Sequence, residues 1–316
     1  MARMVVALGG NALGETPEEQ QAAVRSTAEK IVQLIKNGHE IVLAHGNGPQ
    51  VGMINLAFES SSRSEEDVAT MPFPECGAMS QGYIGYHLQN AVQEKLRSEN
   101  IDKNAASIIT QVIVDEDDPA FDSPSKPIGA FYSREEAEKL EQEKGYQMVE
   151  DSGRGHRRVV PSPLPVDIAE KDMIEELVAS GKIVIACGGG GIPVVRKNGE
   201  LKGVPAVIDK DHASEKLAEE LAADYLVILT AVEKVALNFG TEDEEWLDKM
   251  STAEAKKYSE QGHFAEGSML PKIKAAVKFA ESGTDKKALI TSLESAEAAL
   301  SEKTGTLITK SQKGES

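Results

Sequence analysis

MVVALGGNAL, residues 4–13, is the stretch on which the reading of the fold turns: an unbroken apolar run ends abruptly at Gly9-Gly10-Asn11. A strand with no polar alternation is buried on both faces, the habit of a parallel sheet between helices, and its carboxyl end opens here into a turn that only small side chains allow. In an open α/β sheet that is where ligands bind. The same grammar returns in IVLAHGNGP, residues 41–49, and KIVIACGGGGIP, residues 182–193. Three strands therefore deliver glycine loops that could converge on one anionic ligand.

Composition narrows the classes. A chain of 316 residues exceeds a typical single domain, which predicts one large α/β domain with an insertion, or two lobes. The net charge of -18 argues against nucleic acid or an acidic membrane surface as partner, and it means that any phosphate site needs its own cluster of lysines or backbone N–H groups. No apolar run approaches the roughly eighteen residues that cross a bilayer, and the first apolar stretch ends in glycines rather than at a signal-cleavage pattern, so the expected location is the cytoplasm. Cys76 and Cys187 lack C-x-x-C spacing and the six histidines are scattered, so neither zinc nor a redox dithiol is expected, and no metal held by the protein itself.

Along the chain, Thr16-Pro17-Glu18-Glu19 reads as a capping box opening a helix closed by Asn37-Gly38. A strand follows at 40–44, which makes a right-handed strand–helix–strand unit. Helices are expected near 49–59 and 79–99, and a strand at 105–114. Residues 115–165 then change character, with acidic residues, prolines, a polar helix around 134–143 and strand-like runs at 146–149 and 157–160. This is read as an inserted lobe or lid of the kind that covers active sites. A helix from 166 and a strand at 183–186 resume the alternation, followed by a hairpin turned at Asn198-Gly199. Further strands at 225–230, 235–238, 287–291 and 306–308 are interleaved with helices to about 223, at 251–260 and at 271–281. The tail beyond Lys310 is expected to be disordered.

Three lysines stand in loops beside turn chemistry: Lys126 in SPSKPIG, Lys210 in VIDKD and Lys272 in GSMLPK. Taken singly, each reads as an ordinary surface cation. Their contexts say more, because Lys210 and Lys272 sit at helix starts, where an ammonium opposes the helix dipole unless an anion shares the site. If the ligand is a nucleoside triphosphate, these parts suit phosphoryl transfer, which depends on positioning and charge neutralisation. Backbone N–H groups of Gly9, Gly10, Gly46 and Gly48, with Gly189 as a further candidate, would cradle phosphates or the acceptor. No general base stands out in these loops, which suits an acceptor that is already an anion. The glycines after residue 187 do not spell G-x-G-x-x-G, and G-x-x-x-x-G-K-[ST] is absent, so neither an ordinary dinucleotide turn nor a P-loop is present.

Taken together, ALGGNAL, HGNGPQVG, CGAMSQGYIG, KPIG with FYS, DSGRGHRRVVPSP, ACGGGGIPV, GVPAVIDKD, ILTAVEKV and HFAEGSMLPK give a chain that resembles the carbamate kinases of the amino acid kinase superfamily, almost end to end. Ala7 discriminates within it, since acetylglutamate and uridylate kinases usually carry lysine two residues before the glycine pair. In carbamate kinases a lid lysine, here Lys126, is thought to replace it. The resemblance implies a three-layer α/β sandwich with a mainly parallel sheet of about eight strands, a protruding lid at about 115–165, an N-lobe to about 180 and a nucleotide-binding C-lobe over about 181–310. It implies reversible phosphoryl transfer between ATP and carbamate, run as ADP plus carbamoyl phosphate in catabolism, with Mg2+ carried on the nucleotide, in a cytoplasmic homodimer. Carried over to this chain, Gly9, Gly10, Asn11, Gly46, Asn47 and Gly48 would hold carbamate and the moving phosphoryl group. Lys126, Lys210 and Lys272 would stabilise the transition state, with Asp209 as organiser. Gly189, Asp211, Thr230, Val232, Val235, Met269 and Lys272 would border the nucleotide. Ala231 stands where many relatives in the superfamily have Asp. The rivals are another acid kinase of the superfamily and a nucleotide sensor that has lost catalysis; Ala7 speaks against the first, and intact Asp209, Lys210 and Lys272 against the second.

Overall fold

In the computed structural model, which describes residues 1–9, 17–61, 69–151 and 153–311, the opening apolar run forms β1 (Arg3–Leu8), buried from residue 4 onward. It is followed by α1 (Pro17–Lys36), β2 (Glu40–His45), α2 (Gly48–Ser61), α3 (Phe73–Ser98), β3 (Ala105–Ser107) and β4 (Gln111–Val114). The inserted segment carries β5 (Lys126–Tyr132), α4 (Arg134–Lys144), β6 (Gln147–Glu150) and β7 (His156–Val160). The chain returns through β8 (Pro165–Ile168), α5 (Lys171–Ala179), β9 (Ile183–Ile185), β10 (Ile192–Lys197), β11 (Glu200–Gly203) and α6 (Lys210–Glu220). It ends with β12 (Tyr225–Thr230), β13 (Val235–Leu237), β14 (Glu245–Leu247), β15 (Lys249–Ser251), α7 (Thr252–Glu260), α8 (Met269–Glu281), β16 (Lys287–Ser292), α9 (Ala296–Leu300) and β17 (Thr306–Thr309).

The central sheet has eight strands in the order β15-β17-β16-β12-β1-β2-β9-β3. Every pairing in it is parallel except β16 with β17. Strand alternation sorts the core into two layers. Met4, Val6, Leu8, Ile41 and Leu43 face α1, α3 and α9, while Val5, Ala7, Val42 and Val184 face α5, α6, α7 and α8. Each fully buried side chain of this kind contributes about 1.5–3 kcal/mol. The consequence for function is geometric: β1, β2, β9 and β12 all end at one edge, where the loops after Leu8, His45, Ile185 and Thr230 meet.

A second sheet, β11-β10-β4-β8, flanks the first, and the lid holds its own antiparallel sheet, β5-β7-β6. Helix α4 of the lid is capped on both sides, by a Ser133–Glu136 capping box and by Gly145 in the left-handed conformation. The lid rests on α2. Glu59 there receives Lys144 Nζ at 3.0 Å, the hydroxyl of Tyr146 and Arg158 at 3.6 Å. Gly52 and Gly129 touch backbone to backbone, so that a Cβ on Gly52 would lie 2.2 Å from the Gly129 Cα.

Several elements differ from the sequence expectation. The run at 105–114 is two strands in two sheets: at Thr110 the backbone turns away and both its N–H and its carbonyl bond the amide of Gln81 from α3, at 2.8 and 3.0 Å. The helix expected from 166 is first a strand, β8, which pairs with β4. Helix α3 begins at Phe73, behind Pro72, and absorbs CGAMSQG. The short strands β14 and β15 lie outside the expectation: β14 is largely exposed and pairs with β13, while β15 buries Met250 and extends the central sheet beside β17. The capping box expected at 16–19 involves Thr16, outside the described residues, as is the tail from 312. Ser311 is ordered against α7, its hydroxyl accepting from Ala253 N at 3.0 Å.

Candidate active site

The site is built from the N-termini of two helices and the lid. Asp209 caps α6, its Oδ1 accepting the N–H of Asp211 at 2.8 Å. Lys210 and Asp211 therefore occupy the first turn of α6, and Lys272 occupies the first turns of α8. Lys210 Nζ lies 3.2 Å from Asp211 Oδ1 and Lys272 Nζ lies 3.0 Å from Oδ2, so the two ammonium groups share one carboxylate. From the lid, the ammonium of Lys126 meets Asp209 Oδ2. Three ammonium groups on two carboxylates leave a local excess of positive charge in a chain of net charge -18.

Burial sets the protonation states. It works against the charge of Asp209, yet the Lys126 ammonium more than offsets it and holds the carboxyl far below its usual range. Asp211 is likewise kept low against burial by Lys210 and Lys272. Burial pulls Lys210 down from its usual value, and neighbouring Lys272 adds to this, while Asp211 only partly restores it. Burial thus leaves the Lys210 ammonium under-neutralised, a setting in which a nearby anion is favoured.

The glycine loops complete the cradle. The loop after β2 lays Gly46 on the stem of Lys210, with 3.4 Å to Cδ from where a Cβ would stand. Next to it, Asn47 is buried and donates from Nδ2 to Ser80 Oγ at 2.8 Å. Gly189, φ +66°, packs on the Asn47 amide so closely that a Cβ would come within 2.1 Å of it. Gly189 thereby acts through Asn47, positioning the loop rather than presenting a surface of its own. Gly48 opens α2, at the end of the helix where the dipole favours an anion. Gly9 follows β1 against the carbonyl of Leu229, while Gly10 and Asn11 lie outside the described residues.

Two residues not singled out from sequence belong here. His45 is fully buried, its Nδ1–H donating to Gly46 O at 2.9 Å, and burial lowers its pKa to about 4. It is therefore neutral and structural near neutral pH. Arg157 of the lid stacks over Phe131 and pairs with Asp151 at 3.2 Å, its Nε buried without a hydrogen-bond partner among the described residues and its guanidinium facing Gly48. Its signal was the motif DSGRGHRR, which names no partner until the lid is folded.

Beside the cluster opens a cavity of about 230 Å3, lined among others by Thr230, Val232, Phe239, His263, Met269 and Lys272. Lys272 belongs to both the cavity and the cluster, so a long anionic ligand can lie across them. Val235 is not on its wall: the side chain is in the core and its N–H donates to Thr306 Oγ1 at 2.8 Å, while Lys234 and Ala236 on either side line the cavity. A smaller cavity of about 160 Å3 sits beside Ala2, His39 and Tyr225, at the amino ends of β1 and β12, away from the lysines.

Ammonium groups and helix N-termini converging at the carboxyl edge of a parallel sheet, next to a mainly apolar cavity, define a phosphotransferase. The chain belongs to the amino acid kinase family, whose model matches residues 2–292. It is 55% identical over 306 residues to the carbamate kinase-like protein YqeA of Escherichia coli (strain K12), covering 97% of this chain and 98% of that one. It is 54% identical over 310 residues to a carbamate kinase of Staphylococcus haemolyticus, covering 98% and 100%. Among solved structures, carbamate kinase from Giardia lamblia bound to AMP-PNP superposes with a TM-score of 0.89 at 41% identity, covering 98% of this chain and 99% of that one.

Proposed function

We propose that this enzyme transfers a phosphoryl group reversibly between ATP and carbamate, and that it works chiefly as ADP plus carbamoyl phosphate giving ATP and carbamate. The observation that carries the reading is the ion pair of Lys126 with Asp209, which puts a lid ammonium beside Lys210 and Lys272 while the first strand offers only the buried methyl group of Ala7. Likeness to carbamate kinases over nearly the whole chain supports it.

In this reading the nucleotide lies in the cavity bounded by Thr230, Val232 and Met269, its phosphates reaching Lys272. The acceptor sits among Gly9, Gly10, Asn11, Gly46, Asn47 and Gly48, under Lys126. As the phosphoryl group moves, its charge is followed by Lys210 from one side and Lys272 from the other, while Asp209 and Asp211 hold these groups in place. Carbamate is already an anion and needs no deprotonation, which fits a site where the loop histidine, His45, is buried and neutral. Mg2+ would travel on the nucleotide phosphates and neutralise them. Among the described residues no cluster of His, Cys, Asp or Glu could hold a metal, and Asp209 and Asp211 are committed to ammonium groups. The reading extends to an N-lobe to about residue 180 serving the acceptor, a C-lobe serving the nucleotide, and a cytoplasmic homodimer, as the sequence resemblance implies.

Purified protein mixed with MgADP and carbamoyl phosphate should form ATP rapidly, with acetyl phosphate in parallel giving little. Equal use of both acyl phosphates, or no ATP from folded protein, would overturn the assignment.

A further inference from the structure

The lining of the nucleotide cavity includes two aromatic rings outside any helix: Phe239, in the turn between β13 and β14, and His263, in the loop between α7 and α8. Phe239 is 64% exposed and stands edge-on to Trp246, with ring centroids 5.9 Å apart. A large apolar ring left open beside a cavity is a stacking surface for a planar ligand.

The orientation of His263 is fixed by its neighbours. Asn238 donates from Nδ2 to the carbonyl of Asp243 at 3.3 Å, which turns its Oδ1 toward the imidazole, 2.9 Å from His263 Nδ1. An amide oxygen only accepts, so Nδ1 carries the proton and Nε2 of the neutral ring is a bare acceptor. Tyr258 packs edge-on against the same ring at 5.6 Å. Among the described residues no hydrogen bond to Nε2 accompanies the one at Nδ1, and the ring lines the cavity. The cavity lining therefore offers an aromatic face in Phe239 and, in His263, an imidazole whose second nitrogen can accept a hydrogen bond.

We infer that His263 reads the nucleobase, with Nε2 accepting a hydrogen bond from the 6-amino group of adenine, and that Asn238 is the positioning residue that keeps the acceptor tautomer. Hypoxanthine and guanine present a carbonyl oxygen at that place. Two acceptors would then face each other unpaired, and sites built to bond a donor discriminate against ligands that lack it. This inference rests on the nucleotide reading of the cavity.

The test is titration of ADP and inosine diphosphate, which differ at the 6-amino group, into wild-type protein and His263→Ala, followed by calorimetry and by the fluorescence of Trp246. Wild-type protein is expected to bind ADP at least about tenfold more tightly than inosine diphosphate, a difference of about one buried hydrogen bond. In His263→Ala the ratio should fall to within about threefold, through weaker ADP binding. Asn238→Leu, which keeps the histidine but frees its tautomer, should also narrow the ratio. An unchanged melting temperature in both variants would separate this from misfolding. Equal affinities in wild-type protein, or a ratio intact in His263→Ala, would overturn the role of His263 while leaving the kinase reading standing. Failure of folded wild-type protein to bind either diphosphate would overturn both.

Discussion

The ammonium of Lys126, carried by the first strand of the lid, closes on the carboxylate of Asp209, the residue that caps α6. This contact thus joins the inserted lid to the helix whose first turn holds Lys210. Lys126→Ala is expected to raise KM for carbamoyl phosphate at least tenfold and to leave the Kd for ADP within about threefold. Initial rates at varied carbamoyl phosphate, with calorimetry for ADP, separate the two; equal weakening of both would remove the lid from acceptor binding.

Lys210 and Lys272 share Asp211, one on each oxygen, and neither is needed for the core. Replacing either by Ala should slow transfer about a thousandfold, the scale set by other groups that stabilise transition-state charge. Circular dichroism should stay unchanged. Single-turnover ATP formation is the measurement, and near-normal rates in a folded variant would contradict the assignment.

Gly189 is expected to tolerate no side chain. Its φ of +66° alone costs an alanine about 1–2 kcal/mol, and the added methyl would overlap the amide of Asn47 and break its bond to Ser80. Gly189→Ala should lose about 3 kcal/mol or more in urea denaturation. A loss below about 1 kcal/mol would show that the loop relaxes freely.

Acid should act through His45. The unfolded chain takes up a proton on this imidazole at its ordinary value of 6.5, whereas the folded protein resists until about 4. Between those values the unfolded state binds more protons, so the contribution is complete above pH 6.5 and drains away as pH falls through the window, by on the order of 3 kcal/mol. His39 and His212, also held low by burial, act in the same direction. Denaturation midpoints for wild-type protein and His45→Asn at pH 7 and pH 4.5 isolate the effect: the variant should lose less stability on acidification. An identical pH slope in both would deny His45 this role.

Much of this was legible in the sequence. The runs ending at Leu8, His45 and Ile185 read as parallel strands because burial on both faces leaves no polar alternation, and the three lysines were visible because they stand beside turn residues and helix starts. What failed was local pattern where tertiary contacts decide. VDIAEKDMIEEL spaces its apolar residues like a helix, yet residues 165–168 are drawn into a strand by β4. The break at Thr110 depends on Gln81, far away in sequence, which supplies the hydrogen bonds a continuing strand would have made. The partners of Asp209 and Asp211, the neutral state of His45 and the approach of Arg157 to Gly48 likewise exist only once distant segments have met.

The strands that bracket the lid are hydrogen-bonded neighbours, Val112 opposite Ile168, so the chain departs from the body of the enzyme and comes back at a single doorway. An insert with adjoining ends is a cassette: gene rearrangement can acquire it, trade it or trim it in one event without threading a new path through the sheet. Lys126, to which we assign the acceptor side, rides on that cassette, whereas Lys210 and Lys272 belong to helices of the body. On that assignment, substrate choice and phosphate transfer are inherited on separable pieces of the chain.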